Sequence, residues 1–398
     1  MGRQTIFVFI LIYMLNPFVG MLLVILSKMV DNVKDRESDF LVFIFITVYA
    51  CLLQSTRIWD VHLPSDWTSD VYWGLFKEAR TVPFYKYVFL SDKEPGWRLI
   101  NYVGYYLTQG QYYPFANGIA IITIFLTCTS VYLYWKKIQA DPIALIASLA
   151  LIVFFSEYFG QINNLLRQFF ALSLIAYVYV KKVISNRTNW WLLLLACLVH
   201  SFVFLFAIFL LIKPFYNVIK TKQLLQIGAV IIFALLVISK IAILKNMFLN
   251  VGFISYGIDR VAEVDNTIDQ TDLGLKTIYI TAIIVILVCI KMNNIDITNK
   301  YIVFYTNLLM FMMFICLSIA LLAPEIMSRI YVSRFYFFPF VLPYFMLRNK
   351  FIHAICSYGI IIFFFFRFVL TFDQIRGGGF FPPLRGVITN SIFHFILS

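Results

Sequence analysis

The sequence predicts an all-α, polytopic transmembrane helix bundle of about 10–12 spans, with re-entrant or broken segments and long outer loops. Three observations predict it. Hydrophobic residues make up 62% of the 398-residue chain and charged residues 13%, against roughly half and a quarter in soluble domains. Many windows of about 17–25 residues carry almost no charge, the length that crosses a bilayer core as a helix. The short alternating segments of a membrane β-barrel are missing.

The apolar runs place spans near 4–27, 39–55, 113–135, 142–158, 164–180, 223–241, 276–291, 301–323, 335–348 and 352–371. The first is too long for a signal h-region and lacks a small-residue cleavage site, so it reads as an uncleaved span. Residues 97–110 are apolar but short, which suits an interfacial or re-entrant helix. Residues 190–212 form one span or a hairpin turning at His200-Ser201.

The formal net charge of +12 would suggest nucleic acid in a soluble protein. Here Lys and Arg gather in short loops at 28–38, 136–141, 181–189, 213–222, 291–300 and 348–350. That is the pattern of topogenic charge, and it sends all six loops to the cytoplasm. The assignment requires that 97–110 does not cross and that 190–212 turns back. Outer loops then fall at about 56–96 and 242–275, long enough to be functional surfaces. No internal repeat or linker divides the chain, so a single integral membrane domain is expected over 1–398. The cysteines lie inside apolar runs without a CxxC pair and read as small core residues.

Charged and polar residues inside or beside apolar runs are the candidate site. In the first outer loop Ser65 caps a short helix, Asp66 and Asp70 share one face at i,i+4, and Trp67 and Val71 share the next. Carboxylates accept hydrogen bonds from sugar hydroxyls, and aromatic rings stack on sugar faces. Arg167-Gln168 opens a span, where a cation is costly. His200 interrupts an apolar run and has the chemistry of a general base near neutral pH. Arg329 and Arg334 flank a short outer turn, and guanidinium groups suit bidentate phosphate binding. The acidic residues of 242–275 match no EF-hand. No P-loop, GxSxG, HExxH or dinucleotide fingerprint is present, so no cofactor or metal is expected.

The order of these motifs resembles the EpsG-like, Wzy-type polysaccharide polymerase family. Arg57 is followed by Asp70-Val71-Tyr72, then Glu94-Pro95-Gly96, Arg167-Gln168, a run closing on Ala196-Cys197-Leu198-Val199-His200-Ser201, and an Arg-rich turn into Tyr336-Phe337. Either Asp66 or Asp70 fills the pattern's aspartate. The resemblance implies a multi-spanning, lipid-donor (GT-C-like), metal-independent glycosyltransferase. It would join undecaprenyl-diphosphate-linked oligosaccharides, as both donor and acceptor, into O-antigen or a related surface polysaccharide. It implies the bacterial inner membrane, a site facing the periplasm, and a chain-length regulator as a protein partner. In that scheme Arg167, Arg329 and Arg334 hold the diphosphate, with Arg57 and Tyr72 beside it. His200 or an outer-loop carboxylate takes the proton, and Glu94 and Asp70 orient sugars. Such a site needs Arg167 and His200 close together. Rival readings are an O-antigen ligase, which differs in its acceptor, and a flippase or transporter, which would show repeated halves and midplane charges.

Overall fold

The computed structural model describes residues 3–31, 35–57, 70–90, 94–139, 142–217, 300–320, 324–341, 350–375 and 383–397, with short stretches between 219 and 287 and Phe381. Every regular element among the described residues is helical. Four helices there are long and apolar enough to cross a membrane: Arg36–Ser55, Tyr112–Ile138, Leu166–Ser185 and Tyr301–Ile319. A bent pair, Pro142–Val153 with Tyr158–Asn164, makes a fifth if counted as one span. The chain is therefore an all-α, multi-pass membrane protein. The spans expected at 223–241, 276–291 and 335–348 are described only in part, at 223, 225–230 and 233, at 276–284 and 287, and at 335–341. The one at 352–371 is covered by the helix Lys350–Ile375.

The chain falls into two compact units, one of Met1–Leu210 with Leu342–Ser398 and one of Leu211–Val341. The first opens with α1 (Arg3–Leu15) and α2 (Pro17–Asp31). This corrects the single span expected at 4–27. Proline cannot continue a helix, having no N–H and a ring that meets the preceding turn. It is tolerated in a first turn, and the Asn16 carboxamide accepts from Val19 N at 3.0 Å as a cap. The helices then close tightly: a Cβ on Gly20 would lie 2.5 Å from the Tyr13 Cα.

α3 (Arg36–Ser55) starts where Asp35 accepts from the backbone of Glu37 and Ser38. The expected loop at 56–96 is partly helical, with α4 (Asp70–Thr81) and α5 (Phe84–Phe89). The short run near 97–110 becomes α6 (Pro95–Leu107), about 20 Å long at 1.5 Å per residue and well short of a bilayer core. α7 (Tyr112–Ile138) runs longest through the unit and ends on a left-handed Gln139. The span expected at 142–158 breaks into α8 (Pro142–Val153) and α9 (Ser156–Asn164), bent by 50°. α10 (Leu166–Ser185) follows after Leu165, whose φ of −116° and ψ of 43° separate it from α9.

The 190–212 run is broken at the residue singled out in the sequence. α11 (Trp190–Val199) is capped by Asn189, which accepts from Leu192 N. His200 is extended, Ser201–Val203 form a 3-10 turn, and α12 (Phe204–Leu211) follows. The Tyr179 hydroxyl donates to the Phe206 carbonyl, so α10 holds the second limb as well as packing along the first.

Several polar groups inside this unit pair with one another, as a low-dielectric interior favours. Gln54 Nε2 donates to Asn163 Oδ1 at 2.9 Å and Asn163 Nδ2 returns a bond to Gln54 Oε1 at 3.2 Å. Gln54 reaches Asn117 Oδ1 at 3.2 Å as well. Three helices are thereby fixed in register close to Arg57. In the second unit, α13 (Lys300–Ile319) packs on α14 (Pro324–Val332). Two 3-10 turns, Ser333–Tyr336 and Phe338–Phe340, follow where a span was expected from 335.

Candidate functional site

The site is built around Glu94. One carboxylate oxygen, Oε2, accepts from the Arg167 guanidinium. The other, Oε1, lies 3.0 Å from His200 Nδ1. The Ser201 backbone N–H also donates to this carboxylate. Burial alone would raise the Glu94 carboxyl, but the hydrogen bond from His200, the charges of His200 and Arg167, and the Ser201 N–H hold it below its usual range. Glu94 is therefore a carboxylate at neutral pH.

Sequence explains how these three side chains meet. Leu165 restarts the helix, which puts Arg167 in the first turn of α10, the end whose dipole repels a cation. The Glu94 carboxylate offsets both charges. Glu94 itself has φ 50° and ψ 63°, a left-handed conformation. That costs a non-glycine residue about 1–2 kcal/mol, and a following proline favours extended backbone. Pro95 begins α6 at a position that needs no N–H. Gly96 lets α6 approach the end of α11: a Cβ there would lie 2.8 Å from the Leu198 carbonyl carbon and 2.9 Å from Val199 N. The Glu-Pro-Gly triplet thus supplies an acid, a helix start and a close approach, all aimed at His200. Strain of this kind collects at functional sites.

The His200 tautomer follows from its partners. An ionised carboxylate only accepts, so the 3.0 Å contact requires a proton on Nδ1. The 3.4 Å contact from Phe202 N to the same nitrogen is the weaker and yields to it. The lone pair of a neutral ring is then on Nε2, the nitrogen that can take a proton.

Aromatic residues wall the cluster. The Arg167 guanidinium lies 4.8 Å over the Tyr72 ring, and Tyr72 meets Trp97 edge-on at 6.3 Å. Tyr112 is within electrostatic reach of Arg57, Arg167 and Tyr72. Arg57, 4% exposed, follows α3, and burial pulls its guanidinium down to about 9. It remains mostly cationic at neutral pH.

Five residues singled out in the sequence, Arg57, Tyr72, Glu94, Arg167 and His200, thus belong to one neighbourhood. Asp70 opens α4, with its side chain outside the described set. Asp66, the Ser65 cap and Trp67 lie outside the described residues, as does all of 242–275. Arg329 and Arg334 belong to the second unit. Arg329 sits in the last turn of α14 rather than beside a short turn. Arg334 donates to the Tyr331 carbonyl at 3.0 Å, and its guanidinium covers the Tyr331 and Phe335 rings at 3.5 and 4.5 Å. Lys276 adds a third cation there, donating to Ser328 Oγ at 3.2 Å. Sequence reasoning missed Tyr112, although a tyrosine in the first turn of a span after an outer loop was a signal for it.

Fold and site define a multi-pass α-helical membrane protein with a largely buried Arg–Glu–His cluster at helix ends. The EpsG family model matches residues 59–382, and the chain belongs to the EpsG family. Membership points to polysaccharide biosynthesis and a glycosyltransferase-like, polymerase-like role. No curated protein and no solved structure matches the chain.

Proposed function

We propose that this protein polymerises undecaprenyl-diphosphate-linked oligosaccharide repeat units into O-antigen or a related surface polysaccharide, at the periplasmic face of a bacterial inner membrane. The observation that carries the reading is the Glu94 carboxylate held between Arg167 and His200. A carboxylate on Nδ1 orients an imidazole and stabilises its protonated form, the arrangement that makes Nε2 a general base.

In the proposed step an acceptor sugar hydroxyl attacks the anomeric carbon of the donor. The new C–O bond forms as the bond to the diphosphate breaks, and undecaprenyl diphosphate leaves with the electron pair. The acceptor proton passes to His200 Nε2. Charge developing on the leaving group calls for fixed cations in a dry site. Arg57 and the guanidinium donors of Arg167 not turned to Glu94 supply it. Asp70 and Asp66 orient sugars. Glu94, expected from the sequence to orient sugar, is here a positioning residue acting through His200. Attack with a single base predicts inversion at the anomeric carbon. A chain-length regulator is the protein partner this reading entails.

The test is the surface-polysaccharide ladder of a deletion strain complemented with wild type, Arg167→Ala or His200→Ala. The reading expects deletion to leave core capped by a single repeat unit, and only wild type to restore the ladder. Loss of even the single-unit band on deletion would instead indicate transport or ligation.

A further inference from the structure

α6 carries a second polar pair that the Glu94 cluster does not use. Trp97 and Asn101 lie one turn apart on its inner face, 1% and 0% exposed. The Trp97 ring packs 6.0 Å from Phe115. Among the described residues, neither the indole Nε1 nor either polar atom of the Asn101 amide has a hydrogen-bond partner. Buried donors and acceptors left unmade are rare and costly, and each asks for an explanation. A leucine would fill the Asn101 position without that cost.

We propose that this face of α6 is a subsite for a hydroxylated sugar ring of the lipid-linked substrate, an inference that rests on the polymerase reading. The indole N–H donates, while the amide donates from Nδ2 and accepts at Oδ1. A sugar hydroxyl both donates and accepts, so neighbouring hydroxyls match the set, and the indole and Phe115 rings, tilted by 50°, offer apolar faces beside it. A phosphate would set an anionic oxygen against Oδ1. A polyprenyl chain would leave all three polar atoms unmade. The subsite therefore takes the sugar and not its carrier. It is closed in this structure, and the sugar enters as the rings around Trp97 part, while the Gly96 end of α6 keeps its seat on Leu198.

The test uses the full-length protein in nanodiscs, with radiolabelled lipid-linked oligosaccharide extracted from a deletion strain as probe. Asn101→Leu should keep or raise Tm while weakening binding and raising KM about tenfold, because a site built to hydrogen-bond a hydroxyl suffers when its partner is removed. Trp97→Phe, which keeps the ring and deletes the N–H, should shift KM in the same direction. A fall in Tm with Asn101→Leu would mean that the amide is satisfied within the fold, and overturns the subsite. Unchanged KM and binding overturn it as well. A wild type that binds the extract but forms no polymer refutes the polymerase reading alone, and tenfold weaker binding by Asn101→Leu would then still uphold the subsite.

Discussion

Replacing Gly96 with alanine tests whether the seat of α6 sets the geometry of Glu94. The added carbon would stand 2.8 Å from the Leu198 carbonyl carbon and from its Cβ, and 2.9 Å from Val199 N, where ordinary contact begins at 3.4 Å. Two of these neighbours are backbone atoms, which cannot rotate aside, so α6 must retreat by roughly 0.6 Å to reach ordinary carbon contact. Added to the 3.0 Å between Glu94 Oε1 and His200 Nδ1, this stretches the bond to about 3.6 Å, beyond hydrogen-bonding distance. Overpacking of this size costs about 1–3 kcal/mol of stability. Misplacing a catalytic group by up to an ångström costs about 100-fold in rate. The assay is polymer formation by purified protein at a temperature well below Tm, read beside Tm itself. Gly20→Ala is the comparison, since its Cβ would stand 2.5 Å from the Tyr13 Cα, between α1 and α2 and apart from the Glu94 cluster. Gly20→Ala should lower Tm while sparing most activity. Equal activity losses in the two variants, or full activity in Gly96→Ala, would refute the reasoning.

Three further outcomes are expected. Because the folded Glu94 carboxyl is held below its usual range, its stabilising contribution is complete above about pH 4.3 and is lost as pH falls through the lower folded value; Glu94→Gln should be less stable than wild type at pH 7, and the gap should narrow as pH falls below about 4.3 in a thermal titration. Gln54→Leu leaves the buried Asn163 Oδ1 without its donor, though Nδ2 keeps the Phe159 carbonyl, and should cost about 1–3 kcal/mol, whereas adding Asn163→Leu should recover part of the loss, as a double-mutant cycle on Tm would show. Arg167→Lys keeps the charge but loses the flat guanidinium over Tyr72, and should retain less than about a tenth of the activity, since the two cations are not equivalent at a stacked position.

The residues of the site were legible because the bilayer makes them conspicuous. Arg167 and His200 stand out in apolar runs whose other positions are mostly Leu, Phe, Ala, Val and Ile, and Glu94-Pro95-Gly96 stands out before one. The partnership was less legible. No spacing rule says that the acid of one loop reaches the first turn of α10 and the end of α11 together. The left-handed backbone that aims Glu94 comes from a position where proline should favour extension. The break between α1 and α2 was readable in principle, since Asn16-Pro17 is a punctuation signal, but hydropathy averaged over a window passes across it. The 50° bend between α8 and α9 has no such mark: Phe154 and Phe155 look like any other residues of the run, and packing decides the break.

Three of the short helices carry apolar side chains on their outer faces. Phe7, Val8 and Leu11 do so on α1, Leu99, Val103 and Leu107 on α6, and Trp191 and Leu194 on α11. At 1.5 Å per residue these helices are only about 20, 20 and 15 Å long, against a hydrocarbon core of about 30 Å. Helices too short to cross can still bury an apolar face in one leaflet. The Glu94 cluster, at the start of α6 and the end of α11, therefore lies beside helices whose outer faces suit the lipid of a single leaflet.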